Sequence, residues 1–204
     1  MNKNWSLAIV VAFALGVSTK AYLDEQAKVQ AETDHKVQQQ ASSVHPVLTG
    51  KDNKSVDIFD ANDPRVRVVY FGFTRCADVC PTSLAMLAGA LNELDKQQLD
   101  YFRPMFISLD PERDGAEDSA TYAHYFHPNI EGLSAPLNIT KPLADKYGVI
   151  FRKTEMKDSV MKYTLDHSSY FYFLKPDGTL ITKVPHTLSP APIVAAMTSI
   201  IKEQ

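Results

Sequence analysis

The sequence predicts an α/β fold, a sheet with helices packed on it, and three observations carry that prediction. Two apolar runs rich in β-branched and aromatic residues, Val66–Phe73 and Pro104–Leu109, read as strands buried on both faces. Between them Leu84, Leu87, Ala88, Leu91 and Leu94 recur at helical spacing, so strand, helix and strand form a right-handed parallel unit. Further on, Lys175-Pro176-Asp177-Gly178 is a turn sequence between Ser169–Leu174 and Thr179–Val184, which makes those two segments a hairpin.

In chain order, the N-terminus comes first. Trp5–Val17 is unbroken apolar or small sequence behind a single Lys3, and it reads as an export signal or a membrane anchor. The run is short for a spanning helix of ~20 residues, but Ser18–Leu23 extends it while Lys20 snorkels, so residues 1–23 are assigned as an anchor with the N-terminus on the cytoplasmic side. The competing reading is a cleavage after Ala21. Residues 24–43 are rich in Gln, Lys, Glu and Ala, with too few apolar positions to bury a face, and form a spacer. The globular domain is residues 44–204, long enough for a full core. The chain as a whole has 204 residues, 45% of them hydrophobic, and a net charge of −3, a balance that offers no basic face to nucleic acid.

Within the domain, Lys51-Asp52-Asn53-Lys54 turns between segments around Val47 and Val56–Phe59, a first hairpin. After the second buried strand, Asp114 is placed as the cap of a helix over Ala116–Phe126. Thr140 is placed as the cap of another over Lys141–Tyr147, ending at Gly148. Ser189 with Pro190 opens the last helix, which turns Ile193, Val194, Met197, Ile200 and Ile201 to the core. The order hairpin, strand, helix, strand, helix, helix, hairpin, helix is that of a thioredoxin-like sandwich with an added N-terminal hairpin and insertions.

Both cysteines of the chain, Cys76 and Cys80, stand where the first buried strand runs into its helix. Pro81 suits the first helical turn, with Asp78 or Cys80 as N-cap, so the sulfurs sit at the positive end of a helix with Arg75 beside them. Both thiols are expected to ionise more readily than free cysteine. A spacing of four on one helical face suits either a disulfide or two thiolates on one soft metal ion, and leaves metal binding and redox chemistry both open. A merely structural disulfide closing so short a loop would gain little chain entropy.

Two thiolates hold Cu(I) linearly, and an imidazole would complete a trigonal site. Of the six histidines, His35 and His45 fall in or near the spacer, and His124 and His127 close a helix. His186 follows a strand in a loop that could approach the site. His167 opens the strand Tyr170–Phe173, where it could face the cysteine helix, with Asp166 and Ser168 placed to orient its ring. Spacing alone leaves it open between a ligand and a surface or capping histidine.

These residues resemble the Sco/SenC family of copper chaperones and thiol oxidoreductases. The matching blocks are Phe71-Gly72-Phe73-Thr74, Cys76-x-Asp78-Val79-Cys80-Pro81, Ser108-Leu109-Asp110-Pro111-Glu112-Arg113-Asp114, Asp166-His167-Ser168 and Lys175-Pro176-Asp177-Gly178, in one order across residues 71–178. The resemblance implies a thioredoxin-like domain facing the periplasm or the mitochondrial intermembrane space; the bacterial reading is favoured, with the domain in the periplasm held to the inner membrane by a single-pass anchor. It implies copper as the bound ion, Cu(I) foremost with Cu(II) left open, on Cys76, Cys80 and His167. The implied task is assembly of the CuA centre of cytochrome c oxidase subunit II, the partner. The alternative it carries is thiol-disulfide exchange, with Cys76 and Cys80 as the redox pair that reduces the cysteines of the oxidase copper site or of other exported proteins. A peroxidase-type thiol enzyme of the same fold is a weaker third reading. The chain departs from the family pattern in Arg75, where a His usually precedes the first cysteine, and in Ala77, where a Pro usually follows it.

Overall fold

The computed structural model describes Lys20, Gln26 and residues 46–157 and 159–203. The chain divides into Met1–Val44 and His45–Gln204. Apart from Lys20 and Gln26, the anchor and spacer assigned to residues 1–43 lie outside the described residues, and among those described no helix is long and apolar enough to cross a membrane.

The sheet is built around β3 (Val66–Gly72) and β4 (Phe102–Ser108), which pair in parallel from Val66↔Phe102 to Gly72↔Ser108. Every residue of both strands is buried, so both faces of the sheet centre are covered. β4 begins two residues before the expected Pro104. A residue without an N–H is accommodated there because the outer neighbour, β5 (Glu131–Leu133), pairs only from Met105 onward. On the other side of β3 run β8 (Tyr170–Leu174) and β9 (Leu180–Pro185), antiparallel, joined by the expected turn at 175–178. The strand order is β5-β4-β3-β8-β9.

Between β3 and β4 lies α1 (Val79–Glu93), whose Leu84, Leu87, Ala88 and Leu91 are buried as the periodicity requires. A five-residue α2 (Lys96–Asp100) follows; Asp95 and Gln98 cap it reciprocally, but it has no apolar face to betray it. α3 (Ala116–Phe126) has the expected bounds, though Asp114 is not its cap. Gly115 is the N-cap, its N–H donating to Asp118 Oδ2 at 3.1 Å, while Asp114 is fully buried. α4 (Leu137–Lys146) begins four residues before the expected start. Thr140 sits inside it, with its hydroxyl turned back to the Ala135 carbonyl (3.0 Å), and Pro142 is absorbed in its second turn. α5 (Ala191–Lys202) buries Ile193, Met197 and Ile200, and α1 touches both α3 and α5.

Two small sheets flank this body. β1 (Val47–Thr49) and β2 (Ser55–Asp57) form the expected hairpin, bridged to Ser134 beyond β5. β6 (Phe151–Glu155) and β7 (Tyr163–His167) form a second antiparallel pair that the sequence pattern does not announce. His167 therefore ends its own strand, paired with Phe151, and does not open β8.

The sheet edge depends on one close approach. A Cβ added at Gly132 of β5 would lie 1.9 Å from the Ser119 carbonyl oxygen of α3, backbone against backbone. Gly132→Ala is therefore expected to destabilise the domain by more than about 3 kcal/mol, at the severe end for one substitution, by chemical denaturation. An unchanged midpoint would show that α3 and β5 can part freely.

Candidate metal centre

β3 ends at Gly72, and the chain turns at Cys76, whose N–H donates to the Phe73 carbonyl (3.4 Å), before α1 starts at Val79. Cys76 thus lies before the helix and not on it, a correction to the shared-face expectation. Its sulfur accepts the Cys80 N–H at 3.4 Å, one of the unpaired donors of the first turn. Cys80, on that turn, is fully buried against the sheet, whereas Cys76 is half-buried. Gly72 makes this burial possible: a Cβ there would meet Cys80 Sγ at 3.0 Å.

From the other side comes β7. Tyr163, Leu165 and His167 alternate onto one face of the strand, and His167 Nε2 stands 3.3 Å from Cys80 Sγ. The ring's second nitrogen, Nδ1, is 3.0 Å from the Ser168 carbonyl. A carbonyl only accepts, so Nδ1 carries a hydrogen and Nε2 is the atom turned to sulfur. Edge-on contacts from Tyr70 and Phe73, with centroids 6.3 and 5.9 Å away, fix the ring plane. Asp166 does not orient the ring as expected: its carboxylate faces outward, accepting from Thr154 Oγ1 (2.6 Å) and Arg152 Nε (3.3 Å). The three groups meet as hydrogen-bonded neighbours. Among the described residues no three His, Cys, Asp or Glu side chains are spaced as a ready-made cation cage.

The two thiols differ sharply. A hydrogen bond from the Cys80 side chain above all, with the backbone N–H groups of Cys80 and Asp78, holds the Cys76 thiol far below its ordinary range, down to about 3, against the opposing effect of partial burial. Cys80 goes the other way, because its proton is held on Cys76, its burial disfavours charge and a thiolate stands next to it. The expectation that both ionise readily is corrected: burial of Cys80 outweighs its place at the helix end. Arg75 is exposed, and it is hydrogen bonding that chiefly lowers Cys76.

The remaining histidines lie elsewhere. His186 reaches α1 one turn beyond Cys80, where its Nδ1 is 2.8 Å from Ser83 Oγ and not at a sulfur. His127 closes α3 and accepts the Asn129 N–H (3.1 Å). His35 and His45 are outside the described residues.

What residue-by-residue reasoning missed is the turn Asp110–Asp114. The buried Asp114 accepts from Thr74 N (2.8 Å), Thr74 Oγ1 (2.6 Å) and Ser108 Oγ (2.8 Å), tying the cysteine loop to the end of β4. Asp110 pairs with Arg113 and accepts the Tyr163 hydroxyl (2.7 Å), tying the histidine strand to the same place. Its signal was the block Ser108–Asp114, whose three carboxylates and one arginine are too many charges for an ordinary surface turn.

A family model described as SCO1/SenC matches residues 38–202. The mitochondrial SCO1 homolog 1 of Arabidopsis thaliana is 38% identical over 114 residues, 56% of this chain and 34% of that protein, so the match spans about a third of the relative's length. An SCO2-like protein of Rickettsia felis is 33% identical over 140 residues, 68% of each chain. Among solved structures, that of Arabidopsis thaliana ScoI with copper bound superposes with a TM-score of 0.70 at 30% identity, covering 78% of this chain and 96% of that one.

The unequal thiols make a direct expectation. In the reduced protein iodoacetamide should modify Cys76 and spare Cys80, at a rate nearly constant from pH 8 to about pH 5, since the thiolate persists until pH approaches the lowered value. A rate falling tenfold per pH unit below pH 8, read by peptide mass spectrometry, would mean that Cys76 titrates as an ordinary thiol.

Proposed function

The chain belongs to the SCO1/SenC family, and from that premise we propose that it carries copper on Cys76, Cys80 and His167 and delivers it to the CuA centre of cytochrome c oxidase subunit II. The observation that supports this reading is the meeting of two sulfurs with one imidazole nitrogen at the first turn of α1. Soft sulfur donors with a borderline nitrogen suit Cu(I). Two thiolates and a neutral imidazole around Cu(I) leave one net negative charge, which the N–H groups at the start of α1 help to stabilise. The relative with copper bound superposes over 78% of this chain. In this reading residues 1–23 anchor the chain in the inner membrane with the domain on the periplasmic side.

The chain's own residues set how the ion is taken up and released. Cys76 is already a thiolate at neutral pH, whereas Cys80 must give up a proton. His167 presents Nε2 without rearrangement, because Ser168 O already holds the other nitrogen. Cys76, the more exposed sulfur, is the donor that an incoming partner thiolate can replace first. Stepwise exchange of donors would then move the ion without freeing it.

A second reading has an observation of its own. A thiolate at Cys76 next to a protonated, buried Cys80 is the arrangement of an attacking and a resolving cysteine. Attack by Cys76 on a partner disulfide forms a mixed disulfide and expels one partner thiolate. Cys80, on losing its proton, then attacks Cys76 and frees the second, so that the partner gains two electrons and this chain is left with a Cys76–Cys80 disulfide.

Reduced protein should bind one Cu(I) per chain and release about one proton, from Cys80, so that affinity falls about tenfold per pH unit lowered near neutrality. Cys76→Ser and Cys80→Ser should each weaken binding by orders of magnitude, and equal binding by the oxidised protein would overturn the thiolate assignment. His167→Ala separates the two tasks. It should cost at least about 10–100-fold in Cu(I) affinity while leaving attack on a model disulfide little changed. Cells carrying only this variant should lose oxidase activity and regain part of it with added copper. Normal respiration in those cells, with failure of Cys76→Ser cells, would favour reduction over delivery.

A further inference from the structure

We infer that Arg113 is the positioning residue for His167, acting through the strand between them; this rests on the reading of His167 as a copper donor. β6 is exposed at four of its five positions, and β6 and β7 pair only with each other. Of the ten residues in the two strands only Leu165 is buried, so apolar packing holds them at few points.

The hold comes from Arg113, in the turn between β4 and α3. Its Nη1 donates to the carbonyls of Met161 (3.2 Å) and Tyr163 (3.0 Å), at the start of β7. Its guanidinium carbon lies 3.6 Å above the centre of the Tyr163 ring, and its Nε is bonded to Asp110 Oδ2. The Tyr163 hydroxyl completes the clasp by donating to Asp110 Oδ1. Stacking on a ring while bonding a carboxylate and two carbonyls uses the planar fork of arginine, and lysine cannot reproduce it. Arg113 pairs with the buried Asp110, and its Nη2 is buried with no partner among the described residues, a desolvation cost that the clasp carries.

β7 transmits the hold. Tyr163 sits in the clasp, Leu165 is buried in the core, and His167, two residues further along the same face, is at Cys80. The clasp and the imidazole are about 13 Å apart along one extended strand. Loss of the clasp frees the start of β7 and lets the ring drift from the sulfurs.

The test is a double-mutant cycle on Cu(I) affinity of the reduced protein, with amide hydrogen exchange of the copper-free protein as the second readout. Arg113→Ala should lower affinity about tenfold or more in the natural background and not at all in the His167→Ala background, and Arg113→Lys should fail to rescue it. Exchange along residues 163–167 should quicken while β3 and β4 keep their protection. Should Arg113→Ala fail to fold because Asp110 is left buried and unpaired, Tyr163→Phe, which leaves no charge unpaired, should show the same pattern at a few-fold size. Equal losses in both backgrounds, or none in the natural one, would overturn the inference. Were His167→Ala itself without effect on affinity, the ligand assignment would fall instead, a result distinguishable from the first.

Discussion

A buried carboxylate with no ion pair among the described residues must be met by hydrogen-bond donors, and Asp114 meets that demand by drawing the ends of β3 and β4 together. Thr74 supplies its backbone N–H and its hydroxyl, and Ser108 its hydroxyl. Hydrogen bonds to a charged group contribute about 1.5–3 kcal/mol each, so the loop leading to Cys76 is held far more firmly than an exposed loop would be. The Asp114 carbonyl accepts from Ser134, bringing the end of β5 to the same point. With Asp110 and Arg113 in the same turn, the cysteine loop and the histidine strand are both referenced to five consecutive residues.

The contrast between the sulfurs follows from magnitudes. A helix terminus stabilises a charge by about 0.3–1 kcal/mol, less than the 1.36 kcal/mol that corresponds to one pH unit. Burial of a thiol and a neighbouring thiolate each act more strongly than that. Cys76, half-exposed and surrounded by donors, becomes the anion; Cys80, packed against the sheet across Gly72, keeps the proton. One helix end therefore carries two chemically distinct cysteines.

Much of this was legible in the residues. β3, α1, β4, the β8–β9 hairpin and α5 have strong local patterns, and their cores fall as the periodicity implies. Less visible were β5, three residues around a glycine, and the β6–β7 pair, whose Phe-Arg-Lys-Thr-Glu reads as loop. Local pattern cannot show the β6–β7 pair because the clasp on β7 comes from Arg113, far away in the chain. For the same reason Asp114 looked like a helix cap and Asp166 like a partner for the histidine ring: an acidic residue before a helix or beside a histidine has a local explanation, and the actual one is tertiary. Cys76 and Cys80 stand out in the sequence and His167 only through the family resemblance, and the direction of each thiol's titration required knowing which sulfur is buried.

The hydrogen bond from His167 Nδ1 to Ser168 O has one more implication. An imidazole that bridges two ions must surrender the hydrogen on its second nitrogen and turn both lone pairs outward. Here the adjacent carbonyl occupies that nitrogen, and Tyr70 and Phe73 pack edge-on against the ring. In the proposed site the histidine would thus serve only as a terminal ligand, through which a binuclear cluster would not grow outward.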